Sequence, residues 1–179
     1  KPFVMSSDML AATWDQQGVV VYSSALKSLA VKLAKISSDL ILLTSGPRAG
    51  LAEINLQALQ PGSSIMPGKV NPVVPEVVGI VAFRVMANDY AVTLASHSGQ
   101  LQLNAYEPLN GLANIESQHL IFNVSKLFRT KCIDGITVRM MNGATNAPVS
   151  EAMKVTKARF AALIGSVIGT ETTCAPTTS

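Results

Sequence analysis

This 179-residue chain is short of charge. Asp, Glu, Lys and Arg make up 14% of it, against about 25% in an ordinary soluble domain, while hydrophobic residues supply 48%. A surface so short of charge implies that much of it meets other subunits. Aromatic residues are scarce as well, at 5%, and the net charge of +3 is spread without any stripe of Lys and Arg. Nothing here supports a nucleic-acid partner. The two cysteines, Cys132 and Cys174, stand far apart and outside any C-x-x-C arrangement. They make no disulfide framework, suit a reducing compartment, and read as small buried or incidental residues rather than nucleophiles. No stretch approaches the roughly 18 uncharged apolar residues that cross a bilayer, and no charged leader with an apolar core opens the chain. The resulting expectation is a cytoplasmic protein with no membrane partner. Lys1 takes the place of an initiator Met and helical patterning starts almost at once, as in a piece of a longer polypeptide.

The length suits one domain able to bury its own core. Helical signals dominate it. Ser7 is a candidate N-cap, with Asp8 in the first turn, for a helix running to Thr44, where Ser45, Gly46 and Pro47 stop it. Tyr22, Leu26, Leu29, Leu33, Ile36, Leu40 and Leu43 alternate spacings of four and three, a heptad seam for packing along other helices. Such a helix would be about 55 Å long, too long for the interior of one small globule. Lys27, Lys32 and Lys35 flank the seam as a solvated or interhelical face, and the lone Trp14 reads as a packing residue. A second helix is expected from Glu76 to about Ser96, apolar on more than one face. A third follows Gly99 and reaches about Lys131, with Pro108 starting or kinking it. Beyond Gly135 the pattern weakens; one or two short helices around Glu151 to Ile168 and a disordered Thr-rich end are expected.

Between the first two helices, residues 45–75 carry nine glycines and prolines in all and form an irregular connection. Connections of that length in compact domains are usually functional. Its most specific part is GSSIMPGKVNP at 62–72, which sets two hydroxyls, an ammonium and an amide between backbone-bending residues. Those groups suit an anion. They do not make a nucleotide-binding P-loop: five residues separate Gly62 from Gly68, and Val70 stands where that loop needs a hydroxyl for magnesium. By composition alone the segment would also serve as a structural connection.

The string GSSIMPGKVNP resembles the signature loop of the fumarase and aspartase superfamily, and TSGPRAGLAEINL at 44–56 and GQLQLNAYEP at 99–108 resemble its neighbouring parts. The resemblance runs from about Leu10 to Thr137. It implies an all-α fold: a long-helix bundle over 1–137, including the loop at 60–75, within the helical core of a homotetramer. Residues 138–179 form a divergent C-terminal segment. It also implies a lyase that breaks a C–N or C–O bond in a succinyl compound to release fumarate, with no cofactor and no metal. A small dicarboxylate is then the substrate.

By motif position Ser63 would be the general base and Ser64 a support for the loop. Lys69 and Asn71 would hold the carboxylate next to the abstracted proton. Glu76 would pair with a histidine of a neighbouring subunit; its plainer reading is a first-turn carboxylate favoured by the helix dipole. His97 and His119 match no catalytic motif, and Arg48 reads as structural or subunit-bridging. The continuation VVPEVV at 73–78 and GQLQLN at 99–104 look more like aspartate ammonia-lyases than class II fumarases. A non-catalytic helical assembly fragment remains the competing class.

Overall fold

The computed structural model describes residues 2–46, 48–60 and 70–138. The short helices expected around Glu151 lie outside them. The chain divides into two compact units, Lys1–Ala34 with Ile80–Ile121, and Lys35–Gly79 with Phe122–Ser179. Among the described residues the elements are α1 (Met9–Trp14), α2 (Gln17–Leu43), β1 (Ile54–Asn55), α3 (Val73–His97), α4 (Glu107–Lys131), a 3-10 turn (Ile133–Gly135) and β2 (Thr137–Val138). The all-α, long-helix expectation is borne out.

The single helix expected from Ser7 to Thr44 is two. Asp8, rather than Ser7, caps α1: its carboxylate accepts the Ala11 N–H at 3.0 Å. Asp15 then ends α1 and opens α2, because its carboxylate accepts the Gln17 N–H at 2.8 Å. A short acidic side chain can take a backbone donor locally and so compete with helix continuation. What remains as α2 is about 40 Å long. No residue of α1 is buried, and Trp14 is 49% exposed rather than packed.

The heptad seam of α2 also turns slightly. Leu33 and Leu40 are buried as expected, but Leu26, Leu29, Ile36 and Leu43 are half-buried and Tyr22 is exposed. In their place Ser23, Ala30 and Ser37, seven residues apart, are buried. Small side chains let backbones approach closely, and two of these three gain a hydrogen bond by facing inward. Ser23 donates to Asp89 at 2.9 Å, and Ser37 donates to the Pro75 carbonyl.

In the first unit, Ala30 of α2, Ala82 and Val85 of α3 and Ile121 of α4 form a buried cluster, with Leu26, Leu29, Val81 and Met86 packed around it. Polar contacts fix how the helices pass each other. The buried Asp89 of α3 accepts from Ser23, from Ser24 at 3.4 Å and from the Lys27 ammonium, all on α2. One residue earlier, Asn88 donates to Ser117 at 3.0 Å and Glu116 at 2.8 Å on α4, and the Arg84 guanidinium forks onto the Glu116 carboxylate at 3.0 Å. By length and composition α3 could cross a membrane. Its mid-helix Arg84 and Asp89 instead have ion-pair partners on neighbouring helices, as in a bundle.

Among the described residues of the second unit is a pairing that the sequence did not announce: β1 runs antiparallel to β2, with Ile54 opposite Val138 and Asn55 opposite Thr137. Two-residue strands are too short to show alternation.

Asp89→Ala should lower stability by about 2–3 kcal/mol in urea unfolding, because it leaves Ser23 and Lys27 without their acceptor; a loss under about 0.5 kcal/mol would refute the anchoring role of Asp89. Glu116 gives a pH signature. Hydrogen bonds from Asn88, then from Arg84, hold its carboxyl below the ordinary value of 4.5. A group depressed in the folded state contributes stability above its unfolded pKa and loses it as pH falls through the folded one. The stability difference between wild type and Glu116→Gln should therefore shrink as pH falls below 4.5, and a difference independent of pH would contradict the pairing.

Candidate active site

Asn71 is the expected substrate-binding residue that the described structure places most fully. It lies half-buried immediately before α3. Its carbonyl accepts the Val73 N–H at 2.9 Å, and the Pro72 carbonyl accepts the Glu76 N–H at 3.1 Å. Prolines at 72 and 75 suit this start, since the first-turn N–H groups of a helix have no partner inside it and a missing donor costs little. Pro75 is fully buried, and its carbonyl is tied to Ser37 of α2. The backbone that carries Asn71 is thus set by α3's first turn and anchored to α2.

Beside Asn71 the described residues line a half-open hollow of about 10 Å³, room for about one water. Gln57 and Leu59 after β1 border it, as do Lys131 and Cys132 at the end of α4. Lys131 adds a cationic side chain to the surroundings of an amide proposed to hold a carboxylate. Neither Lys131 nor Cys132 was singled out for this neighbourhood, because some sixty residues separate them from Asn71 in sequence. Among the described residues this space is too small for a dicarboxylate.

Ser63, Ser64 and Lys69 lie outside the described residues. Glu76 is exposed in the first turn of α3, open to a partner from elsewhere and favourably placed on the helix dipole. His97 is exposed, its Nδ1 3.4 Å from the Ser98 hydroxyl; His119 and Arg48 are exposed too. Among the described residues no three His, Cys, Asp or Glu side chains converge as a metal site would require.

The loop preceding Asn71 closes α2 by a tight route. Ser45 accepts the Leu51 N–H through its hydroxyl at 3.2 Å and the Ala52 N–H through its carbonyl at 2.7 Å. A side chain at Gly50 would meet the Ser45 backbone at 2.4 Å, so only glycine fits there.

Comparison with known proteins matches residues 1–87 to a family described as lyase. Aspartate ammonia-lyase of Escherichia coli (strain K12) is 57% identical over 136 residues, which is 76% of this chain and 28% of that relative. Among solved structures, a fumarate lyase:delta crystallin from Brucella melitensis aligns with a TM-score of 0.72 and 38% identity, over 93% of this chain and 38% of that one. A class II fumarase from Schistosoma mansoni aligns with a TM-score of 0.74 and 34% identity, over 76% and 29%. The chain belongs to the fumarase and aspartase superfamily of lyases. It spans 28% of the length of the first of those relatives.

Burial pushes the Cys132 thiol up to about 12, which leaves it protonated and unreactive at neutral pH and agrees with its reading as a buried small residue. At pH 8, iodoacetamide should label Cys132 about a thousandfold more slowly in the folded chain than in urea, followed by peptide mass. Comparable rates would show the thiol to be open.

Proposed function

We propose that the chain is the loop-bearing part of an aspartate ammonia-lyase, a lyase that eliminates ammonia from L-aspartate to give fumarate. The observation that carries this reading is the loop GSSIMPGKVNP at 62–72 leading into a helix start that holds Asn71, in a chain 57% identical over 136 residues to an enzyme of that name.

Ser63 is the general base. Its oxygen takes the proton from the carbon beside one carboxylate, and the electron pair left behind gives an aci-carboxylate with a second negative charge. That pair then forms the C=C bond as the C–N bond breaks and ammonia leaves with its bonding electrons. A serine hydroxyl is a very weak acid, so the base needs a water-excluded setting with N–H donors around the oxyanion, as a closed loop supplies. Lys69 and Asn71 bind the carboxylate that gains charge, and their hold strengthens as the charge develops, which lowers the barrier rather than only the KM. Ser64 supports the loop. Glu76, exposed at the first turn of α3, pairs with a histidine of a neighbouring subunit.

The superfamily resemblance makes the working unit a cytoplasmic homotetramer whose sites draw on three subunits. The low charge of this chain fits such an assembly. Two further site motifs, with threonines, serines and a histidine, are absent from these 179 residues, so the chain alone should show little or no turnover. The second reading is a class II fumarate hydratase, favoured by the likeness to a fumarase structure at a TM-score of 0.74.

Fumarate release followed by ultraviolet absorbance separates the two. In a polypeptide carrying this chain at its relatives' full length, L-aspartate should be consumed and L-malate not. Ser63→Ala should lower kcat by at least about a hundredfold, and Asn71→Ala should lower kcat more than it raises KM. Turnover of malate alone would move the assignment to fumarate hydratase. Undiminished activity in Ser63→Ala would remove the serine base.

A further inference from the structure

Two buried amide oxygens of α4, Oδ1 of Asn110 and Oδ1 of Asn114, have no hydrogen-bond partner among the described residues. Asn110 and Asn114 are 1% and 8% exposed, so both acceptors are withdrawn from bulk water, and a buried acceptor left unmade costs free energy. The donors of the same side chains are already committed. Asn110 Nδ2 donates to Ser96 at 3.0 Å and to Gln16 at 3.4 Å, and Asn114 Nδ2 donates to the Asn110 carbonyl at 3.0 Å. A backbone carbonyl only accepts, so the Asn114 amide must face it with its nitrogen, and the atom left unpaired is an oxygen.

Both asparagines line an open cleft of about 380 Å³ within the first unit, the size of a small-molecule site. Its lining along α4 falls at 107, 110, 111, 114 and 115, spacings that follow one face of a helix. The start of α2 supplies Val19 and the exposed ring of Tyr22. A Cβ at Gly18 or Gly111, which also line the cleft, would meet nothing within 4 Å. The charge here has one sign. Glu107 brings a carboxylate, and no Lys, Arg or His is among the described residues that line the space. Amide oxygens and a carboxylate call for a cation with N–H donors, and the tyrosine face favours the same charge. The aliphatic walls and the volume call for an apolar body, which a bare metal ion lacks. A carboxylate in the ligand would meet Glu107 with no lining cation to offset it.

We infer that this cleft binds a small primary ammonium ion with an apolar body, its N–H groups satisfying the Asn114 and Asn110 oxygens and its charge facing Glu107. A turn about χ2, a broad torsion in Asn, is the adjustment that presents the Asn114 oxygen to the ligand. The inference uses none of the residues assigned to the lyase reaction and stands or falls apart from it.

Calorimetric titration of the full chain with 2-phenylethylammonium tests the site. One ion per chain should bind, with a Kd on the order of 1 mM. 2-Phenylethanol keeps the body without the charge and 3-phenylpropionate reverses the charge; each should bind about tenfold more weakly or worse. Asn114→Leu should weaken ammonium binding about tenfold without lowering Tm, since it removes an unpaired acceptor along with its donor. Gly111→Leu puts a better helix former where there is open space, and should abolish binding by filling the cleft. Circular dichroism verifies that both variants fold, and the comparison of the three ligands needs no variant. Absence of ammonium binding at about 10 mM would show that water alone satisfies the two oxygens, and would overturn the inference. Equal binding of the alcohol would overturn it by removing the role of charge, and unchanged binding in Asn114→Leu by placing the ligand elsewhere.

Discussion

A single buried carboxylate does most to set how these helices lie. Asp89 sits in the middle of an otherwise apolar α3 and is satisfied only where α2 presents Ser23, Ser24 and Lys27 together. Sliding α2 by one turn would leave that charge in an apolar setting with no partner, at a cost of several kcal/mol. The adjacent Asn88 makes the corresponding demand of α4, through Ser117 and Glu116. Apolar side chains such as Val85 and Ile121 supply the attraction, but they would tolerate several registers. The polar pair selects one, a role for which buried polar groups in helical assemblies are best attested.

The helices were legible because their signals are strong and local. Pro108 and Glu76 fall in the first turns of α4 and α3, and the change to Gly and Pro after Thr44 follows the end of α2. The misread parts depend on competition or distance. Asp15 breaks the first helix because one carboxylate oxygen captures the Gln17 N–H, and a pattern of apolar spacing does not register such a capture. The inward stripe of Ser23, Ala30 and Ser37 was masked by bulkier leucines beside it, since hydrophobic periodicity counts large side chains and is blind to serines that gain hydrogen bonds. The pairing of Ile54 with Val138 joins segments more than eighty residues apart, with too few residues in each to leave any trace.

The site was legible as chemistry before it was legible as geometry. A run holding Ser63, Ser64, Lys69 and Asn71 between glycines and prolines points to an anion, and the proposed reaction comes from resemblance. The structure adds a mechanical link for Asn71: Pro75 is locked to Ser37, so the helix start cannot drift independently of α2. The neighbours Lys131 and Cys132 could be found only in three dimensions, because α4 brings them back toward a turn it follows by some sixty residues.

The exposed position of Trp14 has an optical consequence. It is the only tryptophan in the chain, and it ends a six-residue helix with no buried residue. Its emission in the isolated chain is therefore set by water at the α1 segment and carries little information about the packing of α2, α3 and α4. A blue shift on mixing subunits would report that this segment has become covered, and would do so without any change in the helical core.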